Sequence, residues 1–226
     1  SKAGYGAARF VDTPLTIAIP TPRRPVVEML PDGGLPKISC LMVTYDRLAR
    51  AKRSIDCFAT QTYPNRELVV VTNGEKDYCQ ALQSHADHAG IETRFVHLEQ
   101  PDLTLGRLRN ISLDSAEGEI VCQWDDDDCN HPERLARQAA QMFQQNARAC
   151  LMTDHLQFLQ DAGIVVWVDW TLGGRERVEQ LLPGTVMMHR DERFRYPEEG
   201  QYASRGEDTM LLNALYASVP VASLIG

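Results

Sequence analysis

Short apolar runs alternate with amphipathic helical stretches between residues 37 and 148, and this alternation constrains the fold more than any other feature of the chain. The apolar runs occupy 38–43, 67–71, 93–98 and 119–124, and the helical stretches occupy 47–60, 76–89, 105–116 and a region that begins at Pro132. Apolar residues at helical spacing mark a helix, whereas short continuous apolar runs mark buried strands. Repeated strand–helix units wind into a parallel sheet through right-handed connections. We therefore predict an α/β fold with a mainly parallel, Rossmann-like half-sheet.

The alternation stops after residue 148, which predicts a smaller region of mixed structure. The segments 149–158 and 164–168 are expected to pair as a hairpin around 160–163. A short strand is expected at 184–189 and a final helix at 207–217.

Residues 1–36 differ from the rest, because they contain six of the twelve prolines. Such a segment favours an extended arm or linker over a packed domain. A short apolar piece within it, 15–19, is a candidate edge strand. The main domain is expected to span 37–226 and to be a module of a longer protein, truncated at its C-terminus, since 220–226 ends within a strand-like run.

The composition narrows the classes of function. With 226 residues and 43% hydrophobic residues, the chain has enough apolar material for a large core, and its net charge of -8 argues against nucleic-acid binding. We expect no transmembrane segment, because no apolar stretch reaches 18 residues. The six cysteines form no Cys-x-x-Cys pair, which favours reduced thiols over disulfides or zinc. These features predict a cytoplasmic protein, either free or at the inner face of a membrane.

Four consecutive aspartates, Asp125 to Asp128, stand between the strand predicted at 119–124 and the helix that begins at Pro132. Open α/β sheets bind ligands beyond the carboxyl ends of their strands. Adjacent carboxylates repel one another unless a cation lies among them. Ions such as Mg²⁺ prefer oxygen ligands and often share them with substrate phosphates. The sequence therefore predicts a divalent metal site that faces a phosphorylated substrate.

Five motif-like blocks occur in order between about residues 37 and 220. They are 38–47, which ends in Thr-Tyr-Asp-Arg, 61–68, 105–110 with its Gly-x-x-Arg-Asn, 116–121 before the aspartates, and 205–208 with its Arg-Gly-Glu-Asp. Together these blocks resemble the family 2 glycosyltransferases of the GT-A fold. An Asp-x-Asp motif alone is common, but five blocks in order are specific.

The resemblance implies a reaction and its participants. Members of this family transfer a sugar, with inversion, from a nucleotide-sugar donor to an acceptor, and a divalent ion (Mn²⁺ or Mg²⁺) stabilises the leaving diphosphate. Residues 37–131 would bind the nucleotide sugar, and 132–226 would form the acceptor side. The acceptor stays open among a glycan, a lipid, a peptide and a small molecule.

Carried onto this chain, the resemblance identifies Asp127 as the metal ligand and Asp125 or Asp126 as the ribose contact. Asp208 falls at the position of the base that removes the acceptor proton. A carboxylate in the first turn of a helix is held ionised by the helix dipole, which suits that role. Glu207 either holds the acceptor or compensates the charge of the helix N-terminus.

The nucleoside contacts are predicted at the ends of the first two strands. Thr44 would hydrogen-bond the base and Tyr45 would pack on it. Thr72 and Asn73 stand where the family usually has two aspartates, one of which binds uracil; each still has an oxygen that could accept a base N–H. Uridine is therefore the favoured nucleoside. Arg109 would approach the base or the diphosphate, because guanidinium groups suit phosphates.

Two residues are weaker candidates for the acceptor side. Trp170 could stack on a sugar, since aromatic faces pack well against sugar rings. His189 could contact a phosphate or a metal. For Trp170 a core or interface role explains the sequence equally well, and for His189 the sequence favours a core or rim histidine over a ligand contact.

Two other functions remain open at the level of sequence. A nucleotidyltransferase would use the same carboxylate and metal chemistry, but it normally has a glycine-rich, basic loop after its first strand, where this chain has 44–47. A glycosyltransferase-like module without catalysis, used for binding, is favoured by the substituted pair at 72–73 and disfavoured by the presence of both Asp127 and Asp208.

Overall fold

A seven-stranded sheet with helices on both faces forms the body of the molecule. The computed structural model describes residues 34–159, 161–171 and 182–225. The strands of the sheet are β1 Ile38–Thr44, β2 Arg66–Thr72, β3 Thr93–His97, β4 Ile120–Gln123, β5 Ala149–Met152, β8 Met187–His189 and β9 Val221–Leu224. Their order is β3-β2-β1-β4-β8-β5-β9. The strand β8 runs antiparallel to both of its neighbours, and the other pairs are parallel. The prediction of a mainly parallel α/β sheet is confirmed.

Within the described residues, five α-helices cover this sheet: α1 Leu48–Ala59, α2 Lys76–Ala89, α3 Leu105–Ser115, α4 Arg134–Gln144 and α5 Glu207–Ser218. The first, second and fourth pack on one face, where Ile55, Leu82 and Leu135 are buried against strand residues. The third and fifth pack on the other face through residues such as Leu108 and Leu211. The central strands are apolar at almost every position because both of their faces are covered.

The first strand predicted after residue 148 is divided in the structure. The run predicted as a single strand at 149–158 divides at Thr153: β5 joins the main sheet, and β6 Asp154–Leu159 pairs with β7 Ile164–Asp169 as a separate two-stranded sheet. The division follows the burial, since β5 is covered whereas most of β6 is exposed. Apolar content alone did not reveal where the chain leaves the sheet.

The other boundaries differ from the predictions by a few residues. The strand predicted at 184–189 begins with a short 3-10 helix, Pro183–Thr185, and the fourth helix begins two residues after Pro132. Residues 1–33, including the edge strand predicted at 15–19, lie outside the described residues. Of the predicted arm, only 34–36 is described, and Pro36 accepts a hydrogen bond from the Tyr63 hydroxyl at 2.7 Å.

The parallel arrangement brings the carboxyl ends of β1, β2 and β4 to one edge of the sheet. Because β1 pairs with both β2 and β4, Thr44 lies beside Thr72, and the aspartates that follow Gln123 emerge next to them. The topology thus gathers residues from three distant segments of the sequence at a single edge.

Candidate active site

Asp126 is the buried member of the aspartate loop and is held from two sides. Its side chain is almost inaccessible to solvent, and Oδ2 accepts a hydrogen bond from the Thr44 hydroxyl at 2.7 Å. The Tyr78 hydroxyl lies 2.5 Å from the same Thr44 oxygen. Burial raises the pKa of Asp126, while Thr44 and Arg47 act in the opposite direction. Thr44, predicted to contact a base, therefore has its hydroxyl engaged in orienting the loop.

Arg47 bridges two carboxylates of the loop. Its Nη2 atom lies 2.6 Å from Asp126 Oδ1, and its Nη1 atom lies 2.8 Å from Asp127 Oδ2. Arg50, one helical turn further on, approaches the same Asp127 oxygen at 3.8 Å. Asp127 is more than one-third exposed, so its carboxylate is accessible from outside the protein.

Arg109 connects the aspartate loop with the start of α5. Its Nη2 atom lies 3.7 Å from Asp125 Oδ1, and its Nε atom lies 3.4 Å from Glu207 Oε1. The guanidinium group also covers the Tyr196 ring, at 5.2 Å from its centroid. Although the side chain is nine-tenths buried, its Nε and Nη1 atoms make no hydrogen bond within the described part of the chain. A buried guanidinium group with unused N–H groups is suited to an anionic ligand.

Packing of α3 fixes the position of Arg109. Gly106 lies against residues that precede α5: its N–H donates to Ala203 at 2.8 Å, and a Cβ atom there would overlap the Pro197 carbonyl oxygen. Asn110 holds the same segment from the next turn, because its side chain exchanges two hydrogen bonds of 2.9 Å with the Tyr196 backbone. The glycine and the asparagine of this block thus keep the two elements close enough for Arg109 to reach both acidic motifs.

A cavity of about 220 Å³ lies at this edge of the sheet, beside Arg109 and the aspartate loop. Its lining consists of Val43, Arg47, Leu105, Arg109, Asp125, Asp126 and Asp127. The lining combines hard oxygen ligands with guanidinium groups, which is the chemistry expected around a diphosphate and its counter-ion.

The charge of the loop indicates that a cation would be stabilised there. Burial, together with the neighbouring charges of Asp125 and Asp127, raises the pKa of Asp128 to about 6. The neighbouring negative charges oppose ionisation of this carboxylate. A bound divalent cation would offset those charges and would itself be stabilised by the carboxylates. The exposed oxygens of Asp127 and the adjacent Asp128 therefore fit such an ion.

The tightest carboxylate cluster within the described ranges lies elsewhere and has an internal counter-ion. Glu67, Glu92 and Glu117 direct oxygens toward one another. The Lys37 ammonium group lies among them, 3.2 Å from Glu67, 2.7 Å from Glu92 and 3.1 Å from Glu117. This cluster is an ion-pair network that joins strands, and a metal is not needed to explain it.

Three further residues predicted to contact the nucleoside lie at the same edge. Thr72 is buried and accepts a hydrogen bond from the Gly74 N–H at 3.1 Å. Asn73 donates its side-chain amide to the Pro101 carbonyl at 3.0 Å, which leaves its Oδ1 atom as the acceptor. Tyr45 is 57% exposed, so its ring is open to a ligand.

The predicted acceptor-side residues are not all brought to this edge. His189 pairs with Ile120 at the amino end of β4, so it lies at the opposite end of the sheet from the aspartates. There its ring meets Phe143 edge-on, and burial lowers its pKa. The structure therefore does not bring His189 to the aspartate edge, because the antiparallel direction of β8 reverses the end at which a strand-terminal residue emerges.

Trp170 and Asp208 lie closer to the carboxyl edge. The Trp170 N–H donates to Thr153, the residue after β5, and its ring stacks on His155. Asp208 occupies the first turn of α5 beside Glu207, and its Oδ1 atom accepts a hydrogen bond from the Thr209 N–H at 2.7 Å. Asp208 remains half-buried and therefore accessible.

Comparison with known proteins identifies the family. The model of glycosyl transferase family 2 matches residues 39–170. The chain belongs to this family.

Two curated proteins resemble this family 2 chain in part. One is EpsH of Bacillus subtilis (strain 168), provisionally designated a glycosyltransferase, to which the chain is 26% identical over 98 residues. This match covers 43% of the chain and 28% of EpsH. The chain is 32% identical over 96 residues to the glycosyltransferase GlyA of Streptococcus pneumoniae serotype 4 (strain ATCC BAA-334 / TIGR4), covering 41% of the chain and 13% of GlyA. The matches thus span less than one-third of either relative.

Solved structures confirm the GT-A fold. S. aureus TarS 1-349 in complex with UDP superposes with a TM-score of 0.69 at 20% identity, over 83% of this chain and 57% of TarS 1-349. The mannosyltransferase PcManGT from Pyrobaculum calidifontis, in complex with GDP-Man and Mn²⁺, gives a TM-score of 0.59 at 14% identity, over 84% and 55% of the two chains.

Among the described residues of this family 2 chain, no helix is both long enough and apolar enough to cross a membrane.

Sequence reasoning did not single out two residues that lie at this candidate site of the family 2 chain. Arg47 was interpreted only as part of a turn and helix start, and Tyr196, whose hydroxyl donates to Gln123 at 3.2 Å, was not considered. The signal for Arg47 was a basic residue just beyond one strand and an acidic run just beyond another. That signal becomes informative only when β1 and β4 are known to be neighbours.

Proposed function

We propose that this chain is the catalytic domain of an inverting glycosyltransferase that moves a sugar from a nucleotide-sugar donor to an acceptor nucleophile. The observation that carries the proposal is Arg109, whose buried guanidinium group approaches Asp125 on one side and Glu207 on the other. One side chain therefore links the two acidic motifs that such a reaction needs: the motif for the leaving group, which lines the cavity, and the motif for the acceptor, which Arg109 contacts through Glu207.

The leaving diphosphate would lie in this cavity. Arg109 would donate to diphosphate oxygens the N–H groups that make no hydrogen bond within the described residues, since charge-assisted hydrogen bonds to phosphate are strong and directional. Asp127 would bind a divalent ion, Mn²⁺ or Mg²⁺, with Asp128 orienting the water around it. Such an ion, when bound, stabilises the negative charge of the leaving group as a Lewis acid.

The nucleoside would bind beyond β1 and β2. Tyr45 presents an exposed ring on which a base can stack, and Asn73 retains an oxygen that can accept an N–H of the base edge. The N3–H of uracil is such a group, so we infer a UDP-sugar. Asp125 would contact the ribose from the loop that also adjoins Arg109.

Deprotonation of the acceptor is assigned to Asp208. It stands one residue after Glu207, in the first turn of α5. Glu207, buried beside Arg109, would hold that helix end in place. During in-line attack Asp208 takes the proton of the acceptor, the acceptor atom bonds to the anomeric carbon, and the bond from that carbon to the diphosphate breaks.

The proposal is tested by incubating the protein with UDP- and GDP-linked sugars and Mn²⁺ and measuring release of the nucleoside diphosphate. We expect slow release to water from a UDP-sugar, and at least a hundredfold loss in Asp127→Asn, because groups that stabilise transition-state charge contribute roughly 10²–10³-fold. Asp87→Asn is the matched control, since Asp87 is an exposed carboxylate near the end of α2.

Two outcomes would contradict the proposal. Binding of nucleotide sugars with no turnover would indicate a binding module. Pyrophosphate release from a nucleoside triphosphate and a sugar phosphate would indicate a nucleotidyltransferase.

A further inference from the structure

Arg47 has an arrangement that the proposed reaction does not explain. Its guanidinium group contacts Asp126 through Nη2 and Asp127 through Nη1, at 2.6 and 2.8 Å. One positive side chain thus lies against the two carboxylates that adjoin the expected metal position. Arg50 lies 3.8 Å from Asp127, so Arg47 and Arg50 together supply positive charge at the Asp127 carboxylate.

The local backbone holds Arg47 in this place. Asp46 adopts a left-handed conformation with a φ of 50°, which turns the chain sharply between β1 and α1. Arg47 is the N-cap residue of α1 and does not continue the strand direction. Its side chain therefore reaches back across the sheet edge, although nearly half of its surface remains exposed.

The two carboxylates differ in their dependence on Arg47. Asp126 is buried and is also fixed by Thr44, so its position does not depend on the arginine alone. Asp127 is 39% exposed, and its Oδ2 atom lies 2.8 Å from Arg47 Nη1 and 3.8 Å from Arg50 Nη1. A cation bound to Asp127 must therefore compete with Arg47 for the same carboxylate.

We propose that Arg47 is an internal counter-ion, a positioning residue that holds Asp126 and Asp127 together before a divalent ion binds and that yields Asp127 to this ion. The inference rests on the metal role proposed above for Asp127. Its consequence is that Arg47 weakens binding of a divalent ion to the nucleotide-free protein, because part of the ion's binding energy is used to displace the guanidinium group.

The test is a titration of the nucleotide-free protein with Mn²⁺, followed by the electron paramagnetic resonance signal of the free ion. We expect Arg47→Gln to bind Mn²⁺ roughly tenfold more tightly than wild type. The reason is that this variant lacks the two short ion pairs with which the cation competes at this half-exposed site. Arg47→Lys, which keeps the charge but cannot bridge two carboxylates with a planar fork, should lie between the two. Circular dichroism checks that each variant is folded.

The matched control is Arg53→Gln. Arg53 lies on the same helix and is exposed, so its removal changes the net charge equally without removing a contact to the aspartates. A gain in affinity much smaller than that of Arg47→Gln would assign the effect to the contact and not to overall charge.

The remaining outcomes separate this inference from the proposed function. If wild type binds Mn²⁺ through Asp127, as judged by Asp127→Asn, but Arg47→Gln binds it equally or more weakly, Arg47 is a simple scaffold and the inference alone is overturned. If Mn²⁺ binding is absent or unaffected by Asp127→Asn, both the inference and the metal role of Asp127 fail.

Discussion

Asp208 combines accessibility with a position at the positive end of a helix. It belongs to the first turn of α5, and its carboxylate accepts the Thr209 N–H. A base must be within reach of the acceptor whose proton it takes, and Asp208 is accessible. Glu207, although adjacent, is buried against Arg109 and is less available to an acceptor. Asp208 and Glu207 are therefore distinguished by their surroundings, since the first is accessible and the second is buried.

The first prediction concerns this base. Asp208→Asn keeps the shape and a hydrogen-bond acceptor but cannot take the proton, so the transfer rate should fall by about 10²–10⁴-fold. Binding of the donor nucleotide, measured by calorimetry, should be unchanged, because Asp208 does not line the cavity around Arg109. A variant that keeps its transfer rate would exclude Asp208 as the base.

At the scale of elements, Glu67 holds three segments together. It is buried on β2, accepts a hydrogen bond from the Ser39 hydroxyl on β1 and another from the Glu117 N–H before β4, and pairs with Lys37. Burial would raise the pKa of Glu67, but these hydrogen bonds and the lysine outweigh it and lower the pKa. The carboxylate therefore stabilises the three strands that present the site.

We predict that Glu67→Gln lowers the free energy of unfolding by about 2 kcal/mol at neutral pH, the size expected for hydrogen bonds to a buried charge. Because the folded pKa lies below the ordinary 4.5, this stabilisation is present above pH 4.5 and is lost as the pH falls through the folded value. Urea unfolding at several pH values measures it: the difference between variant and wild type should shrink in acid.

Glu92→Gln is the matched control for that experiment. Glu92 pairs with the same Lys37, but its side chain is 61% exposed, so its loss should cost under about 1 kcal/mol. An equal effect of the two substitutions would mean that burial of Glu67 is not the cause.

Gly106 determines how closely α3 approaches the segment before α5. A methyl group there would overlap the Pro197 carbonyl oxygen, so Gly106→Ala should lower the free energy of unfolding by about 2–3 kcal/mol despite the better helix propensity of alanine. Ser115→Ala, near the end of the same helix, should change it by less than about 1 kcal/mol. Thermal unfolding monitored by circular dichroism compares the two variants; a Gly106→Ala variant as stable as wild type would contradict the close approach.

Particular elements show where prediction from sequence succeeded. The helix predicted at 76–89 is α2 with the same bounds, because its apolar stripe ends at Gly90, whose left-handed conformation terminates the helix. The split at Thr153 was missed, because β5 and β6 are continuous in sequence and differ only in what covers them. His189 lies away from the aspartate edge for a related reason: the direction of a short strand depends on its neighbours.

At the scale of the whole molecule, binding at the sheet edge should stabilise the entire fold. The cavity draws on residues that follow β1 and β4 and on α3, so a ligand there connects elements from distant parts of the chain. A ligand that binds the folded state alone raises its stability in proportion to the logarithm of its concentration over Kd.

We therefore predict that UDP and Mn²⁺ together raise the Tm more than the sum of their separate effects, because the diphosphate and the ion share the cavity. At a hundred times Kd the stabilisation should be about 2.7 kcal/mol. Differential scanning fluorimetry measures the shift, with Asp127→Asn as the variant in which the metal-dependent part should disappear. A larger shift with GDP than with UDP would overturn the inference of uridine.

By itself, the sequence determined the α/β class, the helices with clear apolar stripes and the acidic loop beyond β4, because each of these follows from local periodicity and residue chemistry. Only the tertiary structure decided which strands are neighbours, and with them the pairing of Arg47 with Asp126 and Asp127 and the two contacts of Arg109. The physical reason is that strand order and direction depend on how helices cover both faces of the sheet. Charges 80 residues apart meet only when that covering brings their strands together.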